Sequence, residues 1–241
     1  MQEVALSVKA MSKRFGGLQA VHKLDLTIDA GQILGLIGPN GAGKTTTFNL
    51  ITGFYQPDAG TIKLFGKDIV DLKPHEICKR GMTRTFQLAK PIYGMTIIEN
   101  VVVGALNKKG SLKNAFDRSE EVLEFLGLIQ FKDVLADNLP IGYHKLLELA
   151  KCLATQPKLL LLDEVMSGLN HAEMDLILEK IMAIRSKGVS IFLIEHVMEA
   201  VTTVSDKIVV LNYGEKISEG TPDQVMNDPN VIDAYLGDLS I

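Results

Sequence analysis

A glycine-rich loop restricts the folds open to this chain more than any other feature of its sequence. Residues 38–45 read GPNGAGKT and fit the pattern G-x-x-x-x-G-K-[ST]. The apolar run at 32–37 precedes the loop as a predicted buried strand, and residues 45–51 follow it as a predicted helix that Gly53 is placed to end. A strand, this loop and a helix in that order predict a phosphate-binding loop.

The residue types of the loop suit the chemistry of a nucleoside triphosphate. Gly38, Gly41 and Gly43 allow the backbone to wrap closely, so that its N–H groups and the helix N-terminus can face phosphate oxygens. Lys44 can neutralise the β- and γ-phosphates, and the Thr45 hydroxyl can ligate Mg²⁺. The alternative is a glycine-rich turn that binds nothing, which the flanking strand and helix disfavour.

Two acidic residues close a second apolar run, KLLLLD at 158–163. Asp163 would end a buried strand at the carboxyl edge of the sheet, where open α/β sheets bind ligands, and could hold Mg²⁺ through water. Glu164 could orient and deprotonate a water molecule beside the γ-phosphate, which is worth about 10²–10⁴ in rate. The alternative is a strand that happens to end in two surface acids.

Two more polar residues could serve the same site. His196 follows IFLIE, so a parallel sheet would place it along the same edge, although a lone histidine is as readily structural as catalytic. Gln87, in the stretch RTFQ, lies between apolar segments and could reach Mg²⁺ or the attacking water. Neither residue carries its assignment alone.

The hydrophobic pattern predicts an α/β fold, with residues 1–241 as a single domain. Apolar runs predict the buried strands of a parallel sheet at 32–37, 158–163, 189–194 and 208–211. Helical segments at about 172–186 and 197–204 separate the last three runs, so helices should cover that sheet. The N-terminal segments 4–8, 24–28 and 61–65 instead alternate apolar and polar residues, as half-exposed antiparallel strands do.

The strand pattern is absent from about residue 88 to residue 153. Within that range, 119–126 and 145–153 have the spacing of helices. We therefore expect a helical subdomain inserted in the α/β core.

Composition narrows the class of function. The net charge is −4 and the basic residues are scattered, which argues against a nucleic-acid binder. The two cysteines lie in unrelated contexts, which favours a reducing compartment over a disulfide framework. The N-terminus lacks the apolar core of a signal peptide, and no apolar run reaches the roughly 20 residues needed to cross a bilayer. We expect a soluble chain that can still dock on a membrane protein.

With these motifs in order, the chain resembles the ATP-binding cassette (ABC) subunits of membrane transporters over essentially its whole length. The resemblance rests on the phosphate loop, RTFQ, LLLLDE, SGLN at 167–170 and His196. The SGLN stretch departs from the family by ending in Asn170, where aspartate is usual. The resemblance implies a P-loop NTPase core with a parallel sheet, an N-terminal antiparallel β subdomain and a helical insertion, using ATP and Mg²⁺.

The resemblance also implies roles for individual residues. Phe15 would stack on adenine, and Glu164 and His196 would be the catalytic base and the residue that contacts the γ-phosphate. Thr45, Gln87 and Asp163 would arrange Mg²⁺ and its water. The nucleotide phosphates would be bound by Gly38, Pro39, Asn40, Gly41, Ala42, Gly43, Lys44, Thr45 and Thr46.

Several stretches narrow the resemblance to the ATP-binding subunits of branched-chain amino-acid uptake systems. They are GFYQPDAGTI, RTFQ, MTIIENVVVGAL, LIEHVM and the closing VIDAYLG. ATPases for urea or amide uptake and for lipopolysaccharide export have similar stretches, so those substrates stay open. The resemblance implies transmembrane permease partners and a peripheral position on the cytoplasmic face of the inner membrane. Residues 88–101 are the expected docking surface, or else part of the core of the helical insertion.

The stretch LPIGYH at 139–144 departs most from the family. The family's signature, commonly LSGGQ, would begin at Leu139, so that its serine falls on Pro140 and its first glycine on Ile141. In the family's head-to-tail dimer, this segment closes the ATP site of the partner. The substitutions would therefore damage the partner's site, which leads us to expect a heterodimer of ATP-binding subunits with unequal sites, a homodimer being the alternative.

Two rival functions are compatible with the same motifs. A soluble ABC ATPase acting on ribosomes or DNA is one, but such chains usually carry two cassettes or a long coiled coil, and sustained heptads are absent here. A regulatory subunit that no longer hydrolyses ATP is the other, and the retained Glu164 and His196 argue against it.

Overall fold

The computed structural model describes residues 3–86 and 91–236, except for the side chains of Ile141 and Leu236. Gln87 therefore lies outside the described residues, as do positions 88–90 of the expected docking surface. The strands of the described part are β1 (Val4–Phe15), β2 (Leu18–Asp29), β3 (Ile33–Ile37), β4 (Ala59–Leu64), β5 (Lys67–Asp68), β6 (Met82–Arg84), β7 (Leu159–Asp163), β8 (Ser190–Ile194), β9 (Lys207–Asn212) and β10 (Glu215–Gly220).

Helices connect most of these strands. They are α1 (Lys44–Ile51), α2 (Pro74–Lys79), α3 (Ile97–Ala105), α4 (Leu112–Leu126), α5 (His144–Ala154), α6 (His171–Ser186), α7 (Met198–Val204), α8 (Pro222–Met226) and α9 (Pro229–Leu236). Within residues 3–86 and 91–236, each helix is too short or too polar to cross a bilayer.

The strands form two sheets. The first has the order β2-β1-β4-β5 and is antiparallel throughout. The second has the order β10-β9-β3-β8-β7-β6; its strands are parallel except for β10, which pairs antiparallel with β9. Both the α/β class and the separate antiparallel sheet are therefore confirmed.

The buried strands of the second sheet divide their side chains between two cores, because successive residues of a strand point to opposite faces. Leu159 and Leu161 of β7 pack with the first sheet and α1. Leu160 and Leu162 pack on the other face, among residues of α3 to α8 and Val231 of α9. This double covering explains why the strands are apolar at every position rather than at alternate ones.

The described part of the predicted helical subdomain holds α3, α4 and most of α5, with short 3₁₀ turns between α4 and α5. Its apolar residues belong to the same core as the helix-covered face of the parallel sheet. Helices α3 and α5 meet closely at Gly104, where a Cβ atom would lie 2.2 Å from the carbonyl oxygen of Lys151. The division into a core and an inserted subdomain stays a prediction.

Most predicted elements are present, but β1, β2 and α4 each extend well beyond the predicted segments 4–8, 24–28 and 119–126. The strand predicted at 189–194 is β8, which ends at Ile194 as expected, so His196 lies two residues beyond its end. Helix α3 is not among the predicted elements, because IIENVVVGA is rich in β-branched residues, which favour strands. Its capping box, in which Thr96 and Glu99 bond each other's backbone N–H groups, is the local signal that could have identified it.

Candidate nucleotide-binding site

The glycine-rich loop joins the end of β3 to the start of α1 and packs closely against the backbones of β9 and β2. Gly38, Gly41 and Gly43 have positive φ angles of 148°, 78° and 102°, which disfavour L side chains. A Cβ atom at Gly38 would lie 2.1 Å from the carbonyl oxygen of Leu211, and one at Gly43 would lie 2.5 Å from that of Ala20. The end of β9 and strand β2 therefore set the position of the loop.

Lys44 is buried at the first position of α1. Its Nζ donates hydrogen bonds to the carbonyl oxygens of Gly38 at 2.7 Å and Pro39 at 3.0 Å. Burial lowers the pKa of Lys44, and the nearby carboxylates of Glu164 and Asp163 oppose that change. The lysine thus brings positive charge to a site that already holds two acidic side chains.

A cavity of about 340 Å³ opens over the loop and collects most of the predicted site residues. Its lining includes Phe15, Glu164, His196 and residues 40–46. The Phe15 ring is 41% exposed, contacts the Tyr55 ring edge-on at 5.3 Å between centroids, and lies 5.6 Å from Lys13 Nζ. Leu18, Gln19, Ala20 and Tyr213 also line the cavity and were not predicted to.

Glu164 and His196 are in direct contact at the carboxyl edge of the parallel sheet. The Glu164 Oε1 to His196 Nε2 distance is 2.7 Å. Glu164 has a φ of +50°, an unusual conformation for a residue with a side chain. Its N–H donates to the carbonyl oxygen of Ile194 at 2.9 Å, and its own carbonyl oxygen accepts from Lys145 Nζ at 3.2 Å. These contacts support a backbone that would otherwise be strained.

Asp163 ends β7 directly before Glu164, does not line the cavity and is almost fully buried. Its Oδ2 is 2.6 Å from Arg84 Nη2, and Arg84 Nη1 donates to Asn49 Oδ1 at 2.5 Å. Arg84 had no predicted role, although the quoted RTFQ stretch includes it. Only the strand order β7-β6 shows that the arginine is next to Asp163.

The donor set of this site fits a magnesium ion that is coordinated chiefly by phosphates and water. In the described ranges, no group of three or more His, Cys, Asp and Glu side chains could enclose a metal ion. The available oxygens are the hydroxyl of Thr45, which is exposed in the cavity, and the carboxylate of Asp163. Hard oxygen ligands in small number are what Mg²⁺ uses when it binds together with a nucleotide.

A second buried carboxylate, Glu195, was missed in the sequence because it stands between the apolar run at 189–194 and His196, where an exposed acid is the ordinary expectation. It is 2% exposed, and its Oε1 accepts a hydrogen bond of 2.8 Å from the backbone N–H of Met166. Burial raises the pKa of Glu195 to about 7, against the hydrogen bonds from the N–H groups of Met166 and His196. The carboxylate ties the end of β8 to the turn that follows Glu164.

Replacing Glu195 with glutamine should change how stability depends on pH. Wild-type Glu195 keeps its proton in the folded chain up to pH about 7, but ionises near its ordinary value of 4.5 when unfolded. The wild-type contribution is therefore present at low pH and is lost as pH rises from about 4.5 through about 7. With about 1.4 kcal/mol per pKa unit, Glu195→Gln should gain about 3 kcal/mol over wild type between pH 5 and pH 8.

Urea unfolding of both chains at the two pH values measures this difference. The glutamine amide oxygen can still accept from the Met166 N–H, and Glu164 and Lys145 nearby are unchanged in the variant. An equal change with pH in both chains would contradict the prediction.

The stretch 139–144 lies outside the cavity over the phosphate loop. Residues Ile141–Tyr143 form a 3₁₀ turn that leads into α5, His144 Nε2 lies 3.0 Å from the carbonyl oxygen of Leu139, and the Tyr143 ring is 5.0 Å from that of Phe131. Pro140 and Gly142 line a separate groove beside the start of α6. The segment is therefore not part of the chain's own nucleotide cavity.

The structure brings together most of the predicted site residues. Phe15, residues 40–46, Glu164 and His196 share one cavity, while Gly38 and Pro39 hold the lysine at its base. Asp163 is not among the residues that line the cavity, and it contacts Arg84. The position of Gln87 lies outside the described residues, so its predicted role stays a prediction.

Comparison with known proteins agrees with this site. A family model described as ABC transporter matches residues 21–167, and one described as branched-chain amino acid ATP-binding cassette transporter matches 215–238. The chain is 42% identical to the high-affinity branched-chain amino acid transport ATP-binding protein BraF of Pseudomonas aeruginosa, over 99% of this chain and 100% of BraF. It is 41% identical to LivG of Escherichia coli, with the same coverage.

Solved structures give the same result. The ADP conformation of MJ1267, an ATP-binding cassette of an ABC transporter, superimposes with a TM-score of 0.88 at 31% identity, covering 97% of this chain and 99% of that one. A nucleotide-free cassette from an ABC transporter superimposes with a TM-score of 0.88 at 30% identity, covering 96% and 98%. With its phosphate loop, buried acidic pair and full-length relatives, this chain belongs to the ABC transporter family, as one of its ATPase subunits.

Proposed function

We propose that this chain hydrolyses ATP to drive the uptake of branched-chain or closely related amino acids through transmembrane partner subunits. The observation that carries the ATPase part is the contact between Glu164 and His196 at the rim of the cavity that Lys44 and the loop define. The transported class is supported by relatives of nearly full coverage whose names specify branched-chain amino acid transport. Urea, amide and lipopolysaccharide transport remain the alternatives for the substrate.

The geometry supports a separate role for each residue around the γ-phosphate. The N–H groups of the loop and Lys44 bind the phosphates, and Glu164 accepts a proton from the attacking water. His196, held at 2.7 Å from Glu164, donates to the charge that develops on the transferred phosphoryl group. Mg²⁺, when bound, neutralises phosphate charge. Thr45 and Asp163 would hold it, with Gln87 as the third predicted contributor.

Phe15 is proposed to bind the adenine ring, and its removal should affect only ligands that contain a base. Stacking of a base on an aromatic ring is worth about 1–3 kcal/mol, so Phe15→Ala should weaken ATP binding about 10- to 100-fold. Binding of inorganic triphosphate should stay within about twofold of wild type, because the phosphates do not contact the ring. Isothermal titration with both ligands measures this.

The matched control is Leu112→Ala, which removes a side chain that is 59% exposed at the start of α4, outside the cavity. Equal losses for ATP and triphosphate in Phe15→Ala would contradict the stacking role.

The partners and the location follow from the same proposal. The chain would sit peripherally on the cytoplasmic face of the inner membrane, held there by permease subunits. The described part of the expected docking segment exposes apolar side chains at Ile92 and Tyr93. Ile97, Ile98 and Val101 of the same segment are buried in the helix-covered core. The segment therefore combines packing residues with an exposed apolar face.

A heterodimer of ATP-binding subunits is the oligomeric state that the 139–144 stretch favours. Its Pro140 replaces the serine of the family's signature, and the segment lies outside the chain's own nucleotide cavity, as a segment that completes a partner's site would. Light scattering on Glu164→Gln with and without Mg·ATP tests this. An ATP-bound monomer would favour the unequal pair, and a nucleotide-dependent homodimer would contradict it.

The transport function is tested with the assembled complex. An affinity tag on this chain isolates it from native membranes together with its partners, and the complex is reconstituted in vesicles. Uptake of radiolabelled leucine should require ATP and should be lost with Glu164→Gln. ATP-dependent uptake of urea without uptake of leucine would reassign the substrate. A tagged chain recovered with ribosomes and without membrane subunits would overturn the transport function.

A further inference from the structure

Arg84 is placed between the two parts of the site that bind phosphate and metal. It ends β6, the edge strand beside β7, and its partner in the strand register is Leu161. From there its guanidinium reaches Asp163 Oδ2 at 2.6 Å and Asn49 Oδ1, on α1, at 2.5 Å. One side chain thus connects the strand that carries Asp163 to the helix that begins at Lys44.

This connection is held from several sides. The side chains of Arg84 and Asp163 are only 7% and 3% exposed. The guanidinium carbon lies 5.5 Å from the ring centroids of both Phe48 and Phe86. Little freedom therefore remains for the arginine, which argues that its position is determined by the surrounding core.

The backbone around the pair is also bonded. The N–H of Asp163 donates to Thr85 Oγ1 at 3.0 Å, and the Cys152 thiol donates to the carbonyl oxygen of Arg84 at 3.3 Å. The Nε of Arg84, by contrast, is buried and has no hydrogen-bond partner among the described residues. An unpaired buried donor costs stability, so the arrangement is not explained by packing alone.

We infer that Arg84 is a positioning residue, which fixes the Asp163 carboxylate so that Oδ2 points to the protein interior and Oδ1 remains for the metal side of the nucleotide. This rests on the proposed binding of Mg·ATP. Arginine is required because its planar fork reaches Asp163 and Asn49 at once, whereas the single ammonium group of lysine on a flexible stem does not reproduce that geometry. Residues that orient a metal ligand typically change metal affinity about 10- to 100-fold when replaced.

The test distinguishes an effect on the position of the Asp163 carboxylate from an effect of the positive charge at residue 84. Arg84→Lys keeps the positive charge and removes the fork, and Asn49→Ala removes the second anchor without changing any charge. The dissociation constant of ATP is measured by titration calorimetry in EDTA and in excess Mg²⁺, and the ratio of the two constants is the Mg²⁺ gain. Arg84→Lys should lower this gain about tenfold or more while the EDTA constant stays within about twofold. Asn49→Ala should lower it by less.

Arg185→Lys is the matched control. Arg185 also pairs with an aspartate, Asp206, at 2.6 Å, but on α6 and away from the cavity. Its replacement should leave the Mg²⁺ gain unchanged.

An unchanged Mg²⁺ gain in folded Arg84→Lys would overturn the inference. If Arg84→Lys does not fold, Asn49→Ala decides alone, since a lowered gain supports the inference and an unchanged gain overturns it. A wild-type chain that binds ATP equally in EDTA and in Mg²⁺ would instead overturn the proposed metal role of Asp163. The failure of the inference and the failure of the proposed function are therefore distinguishable.

Discussion

Glu164→Gln should keep ATP binding and lower the rate of hydrolysis about 10²–10⁴-fold, the usual contribution of a general base. Glutamine has the same shape and can still contact His196 Nε2, which lies 2.7 Å from the present carboxylate oxygen. The backbone bond from residue 164 to Ile194 does not involve the side chain, so the φ of +50° should persist. The variant therefore loses the proton acceptor and little else.

Phosphate release by the assembled complex and ATP binding by the isolated chain are the two measurements. Glu199→Gln is the control, because Glu199 is an exposed acid three residues beyond His196 in the first turn of α7 and does not line the cavity. Its turnover should match that of wild type. Wild-type turnover in Glu164→Gln would remove the residue from the role of base, and lost binding would show that it holds the nucleotide.

Gly38→Ala should destabilise the folded chain by about 2–5 kcal/mol, the combined cost of overpacking and of a left-handed backbone. The new Cβ would lie 2.1 Å from the carbonyl oxygen of Leu211 and 3.1 Å from the Cβ of Ala42. Neither neighbour is the end of a flexible side chain, so the end of β9 and the phosphate loop must separate. We expect ATP binding to be lost with the stability, since Lys44 is held by the Gly38 carbonyl.

Urea unfolding and ATP titration measure the two effects. Gly41→Ala is the control for stability, because Gly41 has a φ of +78° but no atom within 4 Å of a Cβ built there. It should cost only the conformational strain, about 1–2 kcal/mol. Equal losses of stability in the two variants would show that the contact with β9 does not determine the position of the loop.

Local sequence patterns alone predicted much of this protein. The phosphate loop, β3, β7, β8 and β9 were all identified, because a buried strand bounded by glycine or acidic residues leaves a pattern within a few consecutive positions. The antiparallel sheet was predicted from alternation, although β1 and β2 are longer than their alternating segments. Helix α3 was missed because buried helices and buried strands have similarly apolar sequences.

Tertiary structure decided what the site residues touch. Arg84 and Asp163 are 79 positions apart, and their ion pair exists because β6 and β7 are neighbours. Glu164 and His196 meet because β8 lies beside β7 and ends near the same height. The buried carboxylate of Glu195 likewise finds the Met166 N–H across these two strands. A hydrophobic period specifies the face on which a residue lies, but the order of strands in a sheet depends on packing between distant segments, which no local pattern records.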